Sequence, residues 1–95
     1  MPLFVLACLD RPGALPIRLA NREAHLAYIA AHREAVKLAG PFLDDAGQMI
    51  GSLLIIDVVD RGAAEAFSAA DPYRSAGLFD RVEIHAWRAT IGAIG

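Results

Sequence analysis

Two apolar segments constrain the fold of this chain more than any other feature. Residues 3–9 and 50–56 are apolar almost without interruption, and residues 3–9 lack the i, i+3, i+4 spacing of an amphipathic helix. A strand with one face in water alternates apolar and polar residues, so strands of this kind are covered on both faces. The 95-residue chain is 56% hydrophobic and has few residues left to cover a second sheet face. We therefore expect a second copy of the chain to cover it, which gives a homodimer.

The remaining segments predict a βαββαβ order in one domain spanning residues 1–95. An apolar stripe of Leu19, Leu26, Ile29 and Val36 indicates a long first helix that ends at Gly40-Pro41. The predicted elements are a strand at 3–9, a helix at 17–39, strands at 42–44 and 49–59, a helix at 61–70 and a strand at 81–88. This order is typical of a ferredoxin-like α+β fold, an antiparallel sheet with both helices on one face.

Composition argues against several classes of partner and site. The net charge is −2 and the nine basic residues are scattered, which is not the pattern of a nucleic-acid or anionic-membrane surface. No segment is apolar over the length of a membrane span, and there is a single cysteine, so we expect a cytoplasmic protein. His25, His32 and His85 lack the spacing of metal ligands, and phosphate-binding glycine motifs are missing. We expect no metal and no cofactor.

One histidine and one aspartate are candidates for chemistry. His25 lies on the border of the stripe of the first helix, where a side chain can face a cleft, and histidine is suited to proton transfer near neutral pH. Asp71 precedes Pro72, which holds its backbone extended in a turn. From spacing alone, a partly exposed helix histidine and an ordinary turn residue remain the preferred interpretations.

A set of short motifs in a fixed order changes that preference. The motifs are Arg22-Glu23-Ala24-His25-Leu26, Gly40-Pro41, Gly51-Ser52, Asp71-Pro72-Tyr73 and Gly77-Leu78-Phe79. Together they resemble the YciI-like family, that of the YCII-related domain. The resemblance implies a dimeric α+β barrel joined through the sheet face and a His25–Asp71 dyad for proton transfer. It also implies a small-molecule ligand, for which the candidate binding residues are Arg22, Pro41, Ser52, Tyr73 and Phe79.

Three functions remain open at this point. The resemblance favours an enzyme of the lyase or isomerase type, such as a dehydrochlorinase or a muconolactone isomerase, acting on a small polar molecule. The alternative is a non-catalytic ligand-binding or accessory module, in which His25 would be replaceable by Gln or Asn. A less favoured third is a tautomerase-like enzyme that uses Pro2 as a terminal amine after removal of Met1.

Overall fold

The computed structural model describes residues 2–93, so the fate of Met1 lies outside the described residues. The elements in chain order are β1 (Leu3–Asp10), α1 (Leu15–Ala31), β2 (Val36–Leu43), β3 (Met49–Asp57), α2 (Arg61–Ala69), α3 (Pro72–Ser75) and β4 (Phe79–Trp87). The strands form one four-stranded sheet in the order β2-β3-β1-β4, and every neighbouring pair is antiparallel. The ferredoxin-like α+β prediction is confirmed.

The core lies between the sheet and its helices. The register of β1 and β3 places buried residues opposite each other in the pairs Phe4–Ile56, Leu6–Leu54 and Cys8–Ser52. Ala64 and Phe67 of α2 complete this buried cluster, and Tyr28 and Ile29 of α1 pack against it. The Tyr28 hydroxyl also donates a 2.8 Å hydrogen bond to the carbonyl of Phe67, which ties α1 to α2.

The opposite face of the sheet is apolar as well. Val5 and Ala7 of β1 pair with Ile55 and Leu53 of β3 on that face, and all four are half-buried. Around them, Leu9, Leu38 and Trp87 are between 40% and 44% exposed. Both central strands therefore present apolar side chains on their two faces, as the uninterrupted apolar segments predict.

The predicted length of the first helix is wrong. α1 ends at Ala31, and the chain then turns into β2, which occupies 36–43 rather than 42–44. Gly40-Pro41 is not a helix stop but part of β2, an edge strand that pairs only with β3. Proline is tolerated on an edge strand because its missing N–H can face solvent. Sheet pairing of residues 36–39 outweighs their helix propensity.

The predicted apolar stripe of α1 is also wrong, except at Ile29, which packs against the core. Leu19 and Leu26 are 56% and 49% exposed, and Val36 belongs to β2. The residues that α1 buries are Arg18 and His25. A polar face turned towards the sheet is stable only when its groups have partners, and those partners form the site described below.

Candidate active site

A cleft of about 300 Å³ lies between α1 and the β2–β3 side of the sheet. Its polar wall carries the side chains of Arg18, Arg22, His25, Ser52 and Tyr73. Its other walls are mainly apolar and include Leu26, Ile29, Pro41, Met49 and Leu54. Pockets with an apolar body and a few converging polar groups are typical of small-molecule sites.

His25 of the polar wall is hydrogen-bonded to Asp71, which lies behind it and does not line the cleft. His25 Nδ1 lies 2.9 Å from Asp71 Oδ1, and the two residues are only 8% and 3% exposed. When the carboxylate is ionised and the imidazole is neutral, Nδ1 carries the proton and Nε2 holds the lone pair, because a carboxylate only accepts hydrogen bonds. Nε2 has no hydrogen-bond partner within residues 2–93. The imidazole is thus anchored at one nitrogen and available at the other.

The local sequence fixes the carboxylate of Asp71. Asp71 is the N-cap of α3, and its Oδ1 accepts a 2.9 Å hydrogen bond from the backbone N–H of Tyr73. Pro72 occupies the first position of the helix, where proline is favoured because no N–H is required there. The interpretation of Asp71 as an ordinary turn residue is therefore correct but incomplete, since the Oδ1 atom that caps the helix is also the hydrogen-bond partner of the imidazole.

Tyr73 orders the polar wall by stacking. Its ring is parallel to the imidazole of His25, with centroids 4.0 Å apart and an interplanar angle of 10°. The Cζ atom of Arg18 lies 4.7 Å from the same ring centroid. The tyrosine ring thus contacts both the imidazole and the guanidinium of the polar wall.

Arg18 holds a buried network that the sequence analysis did not include in the site. Its Nε and Nη2 donate to the two carboxylate oxygens of Asp10 at 2.7 and 2.8 Å, and Nη2 also donates to Ser52 Oγ at 3.0 Å. Burial acts to lower the pKa of Arg18, but the hydrogen bonds and charge of Asp10, with a smaller contribution from Tyr73, outweigh it and raise that pKa. The sequence signals for this ion pair were only that an acidic residue, Asp10, ends the first apolar segment and that Arg18 lies one helical turn before Arg22.

The structure brings together most of the predicted site residues. Arg22, Pro41, Ser52 and Tyr73 all line the cleft with His25. Phe79 does not line it; its ring packs edge-on against Tyr73 with centroids 6.1 Å apart. The prediction that Phe79 lines the pocket is therefore wrong; Phe79 instead packs against Tyr73, which does line it.

The residues of the site offer no metal-binding set. Within residues 2–93, no group of three His, Cys, Asp or Glu side chains lies close enough together to hold a metal ion. The chemistry that the polar wall itself can provide is proton transfer at His25 Nε2 and hydrogen-bond donation from arginine and serine.

Comparison with known proteins places this architecture in a family. The family model of the YCII-related domain matches residues 2–88. The protein YciI of Escherichia coli is 33% identical over 90 aligned residues, which cover 86% of this chain and 92% of that protein.

Solved structures agree with that match. The 5-chloro-2-hydroxyhydroquinone dehydrochlorinase TftG of Burkholderia phenoliruptrix AC1100, in complex with 2,5-dihydroxybenzoquinone, is 33% identical, with a TM-score of 0.86 over 93% of this chain and 95% of its own. Rv0793 of Mycobacterium tuberculosis shares the fold at 20% identity, with a TM-score of 0.53 over 99% of this chain and all of its own. The fold, the matched residues and these relatives agree, and the chain belongs to the YCII-related domain family.

Proposed function

We propose that this protein is a small dimeric enzyme that transfers protons on a small polar molecule, as a lyase or isomerase does. The observation that carries the proposal is the 2.9 Å hydrogen bond between His25 Nδ1 and Asp71 Oδ1 in the wall of the cleft. It leaves Nε2 as a base with a fixed tautomer, which is what general acid–base catalysis requires.

The proposed reaction needs no group beyond these side chains. His25 Nε2 takes a proton from an acidic position of the substrate, and the electron pair left behind either shifts a double bond or expels an anion such as chloride. In an isomerisation the imidazolium returns the proton to another atom of the substrate; in an elimination it gives the proton to water. Asp71 holds the ring in place and stabilises the positive charge that develops on it.

The other polar residues have binding roles in this proposal. Arg22 and Ser52 donate hydrogen bonds to substrate oxygens, while Tyr73 keeps the imidazole plane fixed by stacking at 4.0 Å. Pro41 lies on the opposite wall of the cleft and limits the space available to the substrate. Positioning of this kind contributes to rate because reacting atoms must approach within a few tenths of an ångström of the productive geometry.

The likeness to TftG supports a ring compound as substrate. TftG is a dehydrochlorinase of a chlorinated hydroxyhydroquinone. At 33% identity over 93% of this chain, a hydroxylated ring that loses a proton and an anion is the first candidate to test. A cleft of about 300 Å³ is large enough for one such ring.

The homodimer is part of the same proposal. The outer face of the sheet exposes Leu9, Leu38 and Trp87 by 40% or more around half-buried Val5 and Ile55. A contiguous apolar face of this kind marks an interaction surface. A second copy of the chain is the partner that we propose for it.

The catalytic proposal is tested by comparing two helix histidines. Purified protein is incubated with 5-chloro-2-hydroxyhydroquinone, and chloride release and quinone formation are followed. His25→Ala should lower the rate by about 10²–10⁴-fold, the range for loss of a general base. It should also lower the stability, because it removes the ring that contacts buried Asp71 and Tyr73, so circular dichroism must show that the variant is folded. His32→Ala, an exposed histidine of the segment that follows α1, should leave the rate unchanged.

One further variant and two outcomes separate the alternatives. Asp71→Asn should lower the rate by no more than His25→Ala does, because it keeps the shape of the carboxyl group but removes its charge. Full activity in His25→Ala would contradict the proposal. Binding of the ring compound without turnover would instead favour the ligand-binding module.

The Pro2 alternative is read from the same experiment. Pro2 is exposed and lies just before the first residue of β1. Ser52 of the cleft pairs with Cys8 near the other end of that strand, about 20 Å away along it. The cleft gives that alternative no support. Activity that survives His25→Ala and disappears in Pro2→Ala would nevertheless establish it.

A further inference from the structure

The charges around the cleft are unevenly compensated. Two arginines and a histidine line it, whereas no Asp or Glu of residues 2–93 does. The positive charge of Arg18 is balanced behind the wall by Asp10, through the two hydrogen bonds of 2.7 and 2.8 Å. Asp71 faces His25 and the backbone N–H of Tyr73. The remaining cation of the cleft is Arg22.

Arg22 is free to bind a ligand. It forms no ion pair and no side-chain hydrogen bond with any residue of 2–93, and it is exposed where it lines the cleft. Its charge reaches the polar wall: burial raises the pKa of Tyr73, while the charges of Arg18 and Arg22 act against that rise. A guanidinium presents its N–H donors in a planar fork that matches two oxygens of one planar anion.

Ser52 is prepared as a second donor. Its Oγ accepts the 3.0 Å hydrogen bond from Arg18 Nη2, so its own hydroxyl proton is left for another acceptor. Ser52 is almost fully buried and lines the cleft. The chain of contacts from Asp10 through Arg18 to Ser52 thus ends in an O–H group at the wall of the cleft.

We propose that the cleft selects a small planar monoanion whose charge is shared between oxygens, and that Arg22 is the residue that recognises this charge. The flat body of the ligand lies against the apolar wall of Leu26, Pro41 and Met49, and Ser52 donates to one of its oxygens. This inference rests on the proposed function only in assigning the same cleft; it names the charge class of the substrate.

The test uses two planar probes that differ mainly in charge, benzoate and benzamide. Their dissociation constants are measured by ligand-observed NMR for the wild-type protein, Arg22→Gln and Arg33→Gln. Arg33 follows α1, is exposed, and does not line the cleft. Arg33→Gln is therefore the matched control, because it changes the net charge by the same amount as Arg22→Gln. We expect benzoate to bind the wild-type protein about 5- to 10-fold more tightly than benzamide, the scale of a charge-assisted hydrogen bond near the surface.

Arg22→Gln should abolish that preference without weakening benzamide, and Arg33→Gln should retain it. Added salt should weaken benzoate alone. A second arm repeats the measurement with 4-nitrophenol above and below its own pKa, and distinguishes an ionised phenol from a carboxylate as the preferred anion. Equal binding of the two first probes, absence of binding by both, or a preference that survives Arg22→Gln would overturn the inference.

The outcome is independent of catalysis. Tight benzoate binding that depends on Arg22, together with no turnover of any ring compound, would leave the charge preference intact and remove the catalytic proposal. Turnover that depends on His25 but has an unchanged KM in Arg22→Gln would support the catalytic proposal and remove the charge preference.

Discussion

At the scale of single residues, two aspartates organise the polar wall in different ways. Asp10 neutralises Arg18 through both carboxylate oxygens, whereas Asp71 uses Oδ1 for an imidazole and for a helix cap at once. A buried ion pair such as Asp10–Arg18 is strongly destabilising when one partner is removed, by about 3–5 kcal/mol. The polar wall is therefore built from groups that depend on one another.

The reactivity of the Cys8 thiol can be used to measure how often the core beneath this wall opens. It lies on the helix-facing side of β1 and is 2% exposed. Burial, with a contribution from the charge of Asp71, raises the pKa of its thiol from 9.0 to about 12. The thiolate is the reactive form, so iodoacetamide at pH 8 should label Cys8 only when the native protein opens. Mass spectrometry should show little labelling in buffer and complete labelling in urea; rapid native labelling would contradict the structure.

The same shift sets a direction for alkaline stability. The unfolded thiol ionises near its ordinary pKa of 9.0 while the folded thiol stays protonated to about 12. The contribution of Cys8 to the free energy of unfolding is constant below about pH 9. The free energy of unfolding then falls as the pH rises from about 9 to about 12. In urea titrations, Cys8→Ala should show a smaller fall over this window than the wild-type protein.

At the scale of elements, the contact between β1 and β3 beside the cleft is unusually close. A Cβ atom added at Gly51 would overlap the carbonyl oxygen of Cys8 and press on the ring of Phe42. The close approach is between two strands, β1 and β3. Glycine is needed because neither backbone can move without disturbing the sheet.

Gly51→Ala should therefore destabilise the protein by about 1–3 kcal/mol, the usual cost of overpacking. Chemical denaturation checks this, with Gly40→Ala as the control, because a Cβ at Gly40 meets nothing within 4 Å. Equal stability of the two variants would show that the strands separate easily at this point. Displacement of Ser52 in Gly51→Ala should also weaken ligand binding.

The elements that the sequence predicted correctly are those with a local signal. The apolar runs of β1 and β3 and the Asp60-capped helix α2 have such signals. The end of α1 at Ala31 has none, because neither glycine nor proline follows directly. β2 forms by pairing along its length with β3, the strand that follows it. Arg18 was absent from the predicted site because its partner Asp10 lies eight residues away across a loop. His25 and Asp71 were candidates from the sequence itself, but only the family motifs favoured a dyad over a partly exposed helix histidine and an ordinary turn residue.

At the scale of the whole molecule, the two faces of the sheet allow folding and assembly to be separated. Leu54 is 1% exposed beneath the helices, whereas its neighbour Ile55 belongs to the opposite, half-buried face. Leu54→Asp should prevent folding, since an unpaired buried charge costs several kcal/mol against a total stability of about 5–15 kcal/mol. Ile55→Asp should leave a folded chain that no longer dimerises.

Light scattering and circular dichroism read the two results separately. Wild-type protein should scatter as a dimer at micromolar concentration, and Ile55→Asp as a monomer with an unchanged helix signal. A wild-type protein that is a well-folded monomer would contradict the proposed assembly.

The exposure of Leu26, at 49%, has a consequence for how the protein can change. The polar wall is anchored in the core, but the apolar wall that faces it is partly outside the core, at Leu26, Pro41 and Met49. Surface substitutions usually alter stability by less than about 0.5 kcal/mol. Substitutions at these positions can therefore change which ligands fit the cleft while the His25–Asp71 pair stays intact, so related proteins can keep this pair and bind different ligands.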